Sequence, residues 1–199
     1  MNNWIHKTEF EGEKIKLVPL EQSHKDGLLK AASDGKLWEL WFTSVPSVTN
    51  IDTYIEDALI QKQNGSEFPF VVLDKRNGEI IGSTRYYNLQ PEHRRLEIGY
   101  TWYAEKYQRT GVNTECKALL LAYAFENLNC IAVQLVTDWN NLRSRTAISR
   151  LGAKQDGVLR NHRLNADGSY RDTVVFSITD QEWNGVKKSL EYKIKKYNS

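Results

Sequence analysis

A short polar turn from Tyr107 to Glu115, with the sequence YQRTGVNTE, carries residue types that suit phosphate binding and runs directly into a helical pattern. The first amides of a helix have no partners within the helix, and together with the helix dipole they attract anionic oxygens. One glycine in a polar turn is weak evidence by itself, because most such turns only connect elements. The turn predicts a pyrophosphate cradle if its neighbours hold it rigidly.

Two elements flank this turn. Before it, residues 96–103 alternate apolar with small or polar side chains, and their aromatic residues favour a β-strand. After it, apolar residues recur at helical spacing through Tyr123 and Ala124, so one helix face is buried. The unit is therefore strand, anion-binding turn and helix.

Four motifs occur together in the chain, and they are Glu97-Ile98-Gly99-Tyr100, Gln108-x-x-Gly111-x-Asn113, Asn141-x-x-Ser144 and Leu151-Gly152-Ala153. Their joint spacing resembles the acetyl-CoA-dependent N-acetyltransferases of the GNAT superfamily, and within it the RimJ/RimL acetyltransferases of ribosomal-protein N-termini. The superfamily pattern ends in Gly or Ala where this chain has Asn113. Asparagine tolerates left-handed and capping geometry better than most residues, so the turn is expected to survive.

The resemblance implies an α/β fold of the α+β type, with a mixed, mostly antiparallel sheet of about seven strands and flanking helices. Residues 1–199 are expected to form a single GNAT-like domain, with its core at about 13–183 and a C-terminal helix at about 180–196. The strand at 131–137 follows a helix and should lie parallel to the strand of Glu97. In the family these two strands splay apart, and the pantetheine arm of CoA enters the gap.

The resemblance also implies the binding residues. For acetyl-CoA they are Thr101, Trp102, Tyr103, Gln108, Arg109, Thr110, Gly111, Val112, Asn113, Thr114 and Asn141. For the acceptor they are Trp38, Trp41, Phe42 and Tyr87. The first three of these lie in an aromatic stretch without periodicity, which equally fits a small satellite core under a loop.

Acetyl transfer to an amine needs a neutral amine, and at pH 7 deprotonation costs about 1.1 kcal/mol for an α-amine and about 4.6 kcal/mol for a lysine. Glu97 is the candidate general base, because alternation places it on the face shared with Gly99 and Thr101, beside the expected thioester. An ion pair with Arg85, Arg94 or Arg95 explains Glu97 equally well. His93 is a weaker alternative base.

Asn141 and Ser144 lie three residues apart, on one face at the start of a short helix over residues 141–151. The resemblance assigns Asn141 to the pantetheine arm and Ser144 to the leaving thiolate as proton donor. Asn141 also fits a simple helix cap, and both roles are compatible.

The remaining elements follow from local patterns. Strands are predicted at 13–20, 68–73, 80–87, 154–163 and 170–178, and helices from Ser23 to Ala32, over 51–63, over 112–128 and after the capping box Thr179-x-x-Glu182. A turn is expected at 88–92. Cys116 and Cys130 are expected to be buried free thiols.

Composition limits the function classes. With 40% hydrophobic residues, 26% charged residues and a net charge of +2, the 199-residue chain fits a folded domain and does not favour nucleic acid or membrane as a partner. No leader, metal-ligand cluster or P-loop motif is present, so a cytoplasmic enzyme without a metal is expected. The expected acceptor is a protein N-terminal amine, and the resemblance implies a group that often forms homodimers, while the sequence leaves the oligomeric state open. A small cationic amine or peptide antibiotic is the alternative acceptor, and a non-catalytic acyl-CoA sensor is the alternative class.

Overall fold

The computed structural model describes residues 4–41, 43–165 and 167–198, and it forms one mixed sheet between two groups of helices. The described strands are β1 (Phe10–Glu11), β2 (Ile15–Pro19), β3 (Phe68–Asp74), β4 (Ile80–Gln90), β5 (Arg95–Tyr103), β6 (Ala132–Asp138), β7 (Lys154–Leu164) and β8 (Tyr170–Thr179). The helices are α1 (Lys25–Ser33), α2 (Ile51–Gln63), α3 (Val112–Glu126), α4 (Leu142–Leu151) and α5 (Asp180–Asn198). The strand order is β1-β2-β3-β4-β5-β6-β8-β7.

The β5–β6 pair is parallel, whereas the other neighbouring pairs are antiparallel. Its pairing ends at Glu97 opposite Gln134, although β5 continues to Tyr103 and β6 to Asp138. The carboxyl-terminal halves of the two strands therefore separate. The predicted splayed parallel pair is confirmed.

The two faces of the sheet carry different helices. On one face, which we call the α3 face, the Tyr86 hydroxyl donates to the carbonyl of Leu120 in α3. On the opposite face, which we call the α2 face, the Arg85 guanidinium lies 4.7 Å from the ring of Tyr54 in α2. Because strand residues alternate between faces, the side chains of β4 and β5 divide between a core under α3 and a surface under α2.

The helix α5 runs back along α3. Trp183, near the start of α5, stacks on Phe125 near the end of α3, with ring centroids 5.1 Å apart. At the other end, Tyr197 of α5 lies against Gly111, which precedes α3. The two helices are therefore antiparallel, and the end of α5 reaches the predicted cradle.

Several predicted boundaries are wrong. The sheet agrees with the prediction of about seven strands, and its eighth described strand is β1, which has two residues and is too short for alternation to reveal. Ser23 does not cap α1, since it lies in a 3-10 turn that Glu21 and His24 cap, and α1 begins at Lys25. The strand β4 runs through Gln90, so the turn expected at 88–92 begins later.

Other predictions are confirmed. The helix α2 has the predicted bounds, and Glu182 accepts from the Thr179 amide at 3.0 Å at the start of α5. Cys116 and Cys130 are buried free thiols. Burial raises the pKa of Cys130 to about 12, which keeps this thiol protonated and unreactive. No helix within the described ranges has the length and hydropathy needed to cross a membrane.

Candidate active site

The predicted cradle has free donors in this structure. Gly111 precedes α3 with a φ of 93°, and its carbonyl accepts from Glu115 at 3.0 Å. Among the described contacts, the amides of Val112, Asn113 and Thr114 have no acceptor. Three free amides at the start of a fifteen-residue helix form a suitable site for phosphate oxygens.

The residues before the cradle fix its position. Gln108 donates from Nε2 to the Tyr103 carbonyl at 3.2 Å, and the Thr110 hydroxyl donates to the Tyr107 carbonyl at 2.6 Å. The Tyr107 hydroxyl donates to buried Asp74 at 2.8 Å. Hydrogen bonds from Arg76 hold the pKa of Asp74 well below its usual range, so this anchor is charged at neutral pH.

The turn accommodates Asn113, where the superfamily pattern has Gly or Ala, for a different reason from the predicted one. The left-handed residues in this turn are Arg109, with φ 63°, and Gly111, whereas Asn113 is the second residue of α3 and is half-buried. Asn113 therefore needs neither a left-handed backbone nor a capping side chain. Arg109 is exposed beside the free amides.

The strand β5 contains a bulge at the place where it separates from β6. Ser83 pairs with Trp102 and Arg85 pairs with Gly99, so Thr84 faces both Tyr100 and Thr101, and Tyr100 has a φ of 50°. A bulge shifts the alternation by one residue. Thr101 consequently lies on the α3 face, and the prediction that it shares a face with Glu97 is wrong.

Trp102 and Tyr103 are buried on opposite faces of β5. The Trp102 indole donates to the Tyr54 hydroxyl at 3.3 Å, and the Tyr103 ring lies beside Cys116 of α3. Their side chains fill the two layers, so a ligand in the gap would meet mainly their backbone. That Thr101, Trp102 and Tyr103 bind CoA remains a prediction, and the contacts would come mainly from their backbone.

Glu97 is the last β5 residue paired with β6, and its side chain lies on the α2 face. It accepts a hydrogen bond from Asn88 at 2.7 Å. Burial and the neighbouring Glu97 carboxylate raise the pKa of Tyr87 well above its usual value. The carboxylate therefore lies at the closed end of the gap with neutral hydrogen-bond donors around it.

The alternatives for Glu97 gain no support. Arg85 pairs with Glu67 at 2.9 Å, and no ion pair of Glu97 with Arg94 or Arg95 occurs in the part of the chain that the structure describes. His93 precedes β5, and its side chain is 67% exposed. That position is beyond the paired end of the strands and away from the gap.

Asn141 caps α4, because its side chain accepts from the Ser144 amide at 2.9 Å. The α4 helix starts just after β6 ends, and α3 starts after β5 ends, so both helix starts lie at the same end of the splayed pair. Ser144 is half-buried there. The capping role is confirmed, and roles toward a thioester remain predictions.

Of the predicted acceptor-binding residues, Tyr87 lies beside Glu97, whereas Trp38 and Trp41 lie on a separate connection. Tyr87 lies beside Glu97, with its ring against Tyr100 at 5.3 Å between centroids. Trp38 packs against the core and Trp41 is 61% exposed, and both lie on the connection between α1 and α2. Phe42 lies outside the described residues.

The α2 face also carries a cage that the sequence patterns did not indicate, formed by two tyrosine rings around Arg85. The Arg85 guanidinium lies between the rings of Tyr54 and Tyr100, at 4.7 and 4.4 Å from their centroids. Tyr87 covers Gly99, where a Cβ atom would lie 2.5 Å from its ring. Arg85 and Tyr87 are two residues apart on β4, so alternation places them on the same face, and this was the available signal. The contact of Arg85 with Tyr54 of α2 was not predictable from sequence patterns.

Lys117 was also missed. It is 4% exposed, and its ammonium group donates to Thr101 at 2.6 Å and to Thr84 at 3.1 Å. Within Cys116–Phe125 it is the one charged residue, which was the available signal for a buried polar group.

Comparison with known proteins agrees with this geometry. Residues 14–154 match the family described as the acetyltransferase (GNAT) domain. The "Uncharacterized N-acetyltransferase YoaA" of Bacillus subtilis is 30% identical over 132 residues, which are 66% of this chain and 71% of that protein. The "Putative ribosomal N-acetyltransferase YdaF" of the same organism is 32% identical over 111 residues, which are 56% of this chain and 60% of that protein.

Solved structures have the same fold. A GCN5-related N-acetyltransferase from Brucella melitensis has a TM-score of 0.86 at 27% identity, over 96% of this chain and 86% of that one. Mycobacterium smegmatis RimJ in complex with CoA-disulfide has a TM-score of 0.74 at 21% identity, over 90% and 88%. The chain therefore belongs to the GNAT acetyltransferase family and is an N-acetyltransferase.

Proposed function

We propose that this enzyme transfers the acetyl group of acetyl-CoA to the α-amine of a protein N-terminus, within a complex that holds both substrates. The observation that carries the proposal is the end of β5–β6 pairing after Glu97, with three free amides of α3 at the open end of the same gap. The unpaired backbone suits the amides of pantetheine, and the free α3 amides suit the pyrophosphate.

The roles of the side chains follow from their positions along the gap. Glu97 takes a proton from the acceptor amine, directly or through one water, because its carboxylate lies at the closed end on the α2 face. Ser144 gives a proton to the departing thiolate from the start of α4. Backbone amides of β5 beyond Glu97 polarise the thioester carbonyl.

The charges around the acceptor side support an α-amine over a polycation. Two carboxylates and two guanidinium groups lie close enough to Tyr87 and Tyr100 to shift the pKa values of these tyrosines. They belong to Glu67, Glu97, Arg85 and Arg163. Glu67 is already paired with Arg85. A polyamine or an aminoglycoside needs several free carboxylates, whereas an N-terminal amine needs one base and a small deprotonation cost of about 1 kcal/mol at pH 7.

The relatives support the same choice at the level of their names. YdaF is named a "Putative ribosomal N-acetyltransferase", and a solved structure from Vibrio cholerae at 19% identity is described as a "putative ribosomal-protein-serine acetyltransferase". These names describe those proteins, and they motivate testing N-terminal peptides first.

A thiol-release assay with acetyl-CoA tests the proposal. The panel contains N-terminal peptides, the same peptides with a blocked α-amine, lysine peptides, polyamines and amine antibiotics. We expect release with free N-terminal peptides and none with their blocked forms. Release with polyamines or antibiotics alone would favour the alternative acceptor, and tight CoA binding without release from any amine would favour an acyl-CoA sensor.

A further inference from the structure

Lys117 lies in a closed network of hydrogen bonds under the β5 bulge. Its ammonium group donates to the hydroxyl oxygens of Thr101 and Thr84, which are 2.8 Å from each other. Both hydroxyls also lie near the Gly99 carbonyl, at 3.3 and 3.4 Å. An ammonium group donates only, so the threonine hydrogens remain available, and one of them reaches Gly99.

This network replaces regular strand pairing at the bulge. Thr84 faces two β5 residues, so the regular ladder is interrupted there and Gly99 precedes the left-handed Tyr100. The carbonyl of Gly99 is held by threonine hydroxyls instead. Lys117 organises those hydroxyls from α3, the same helix that begins with the free amides.

A lysine at this position lowers the stability of the folded protein. Among the described residues, no carboxylate pairs with it, and it is 4% exposed. Burying a charge without an opposite charge is costly, and an apolar residue of similar volume commonly gives a more stable protein. A stabilising role for the fold does not account for Lys117.

We propose that Lys117 is a positioning residue for acetyl transfer, which fixes the β5 bulge through Thr84 and Thr101 and thereby aims the backbone amides of β5 at the thioester carbonyl. This inference rests on the proposed function. The same charge, beneath those peptide groups, favours negative charge developing on the carbonyl oxygen. Lys117 itself is beneath the strand and does not touch the substrate.

The test uses the full chain with Lys117→Met, which keeps length and removes the ammonium group. We expect a folded protein whose kcat falls about 10-fold or more, while KM for acetyl-CoA stays within about threefold, because the cradle is intact and only the reacting geometry is disturbed. Hydrogen exchange should become faster in the peptide covering residues 96–103 and stay unchanged in α2. Leu121→Val, a buried apolar change on the same helix, should leave kcat and this exchange unchanged.

Thr84→Val provides a second variant, which removes one hydroxyl from the network and should lower kcat in the same direction. In the double variant with Lys117→Met, the losses should not add, because both changes disrupt one network. Unchanged kcat, unchanged exchange, or a change in KM alone would each overturn the positioning role. If the wild-type enzyme transfers no acetyl group, the proposed function fails, and the exchange measurement still decides whether Lys117 holds the bulge.

Discussion

At the scale of single residues, Glu97 and Lys117 have opposite environments. Glu97 is half-buried, with the Asn88 amide and the Tyr87 hydroxyl beside it, whereas Lys117 is enclosed between α3 and the sheet. The bulge at Tyr100 separates them onto different faces of β5. The position of Glu97 fits a general base that contacts the acceptor amine. The position of Lys117 fits a fixed charge that supports the backbone of β5.

The base assignment predicts a specific pH profile for Glu97→Gln. At pH 7 its kcat should fall about 100-fold, because the variant keeps shape but loses basicity. Activity should recover by about pH 8.5 with an α-amine acceptor, since solvent then supplies the neutral amine, and should recover little there with a lysine. Steady-state kinetics from about pH 6 to about pH 9 measure this.

The control for that experiment is Glu92→Gln, which alters an exposed carboxylate at the turn before β5. It should retain wild-type kinetics across the range. A Glu97→Gln enzyme with wild-type activity at every pH would make Glu97 a structural residue.

Lys117 also predicts a pH dependence of stability. Burial lowers its pKa to about 8 from an ordinary value near 10.5, so between these values the unfolded chain binds more protons than the folded protein. The contribution of Lys117 to the free energy of unfolding should therefore rise with pH across that window, by up to about 3 kcal/mol, and its penalty is fully present below pH 8. Burial raises the pKa of Cys116, which acts on the amine, and that of Tyr103, so both groups lower stability at high pH; their effects cancel when wild type is compared with Lys117→Met.

Urea unfolding of wild type and Lys117→Met measures this effect. The variant should be the more stable protein at about pH 7, and the difference should shrink toward about pH 10. Lys188→Met, at an exposed position on α5, should show no such trend. A difference independent of pH would mean that the folded and unfolded proteins bind the same number of protons at this amine, so that burial does not lower its pKa.

At the scale of elements, the start of α3 combines free amides with a covered glycine. A Cβ atom at Gly111 would lie 2.8 Å from the Tyr197 ring, so substituting this glycine would displace α5 as well as crowd the turn. Gly111 variants therefore test two features together. Asn113 is the cleaner position, because it is half-buried in the first turn of α3 and needs no unusual backbone.

Asn113→Asp should weaken CoA binding by about 10-fold or more, because the new carboxylate repels the pyrophosphate. It should not destabilise the protein, since a negative charge in the first turn of a helix is favourable. Isothermal titration with CoA measures the affinity. Asn50→Asp makes the same change before α2 and should bind CoA as wild type does. Equal affinities for wild type and Asn113→Asp would contradict the phosphate cradle.

At the scale of the whole molecule, local patterns predicted most elements, including α2, α3, β5, β6 and the last hairpin. The parallel β5–β6 pair followed from connection rules. The patterns failed where a single residue alters register or where a strand is very short, as at the Tyr100 bulge and in β1.

The candidate site was predictable in part. The cradle and the Asn141 cap depend on local sequence and were found, whereas the Arg85 cage and the Lys117 network join residues from different strands and helices. Such contacts arise only when the sheet register is known. One charged residue in an apolar helix marked Lys117, but it did not identify its partners.

The most direct measurement of the central claim uses one peptide that contains both a free α-amine and an internal lysine. The peptide is incubated with the enzyme and acetyl-CoA, and fragmentation mass spectrometry locates the acetyl group. We expect acetylation at the α-amine, lost in Glu97→Gln at pH 7 and retained in Glu92→Gln. Acetylation at the lysine instead, or none in the presence of the wild-type enzyme, would contradict the proposed function.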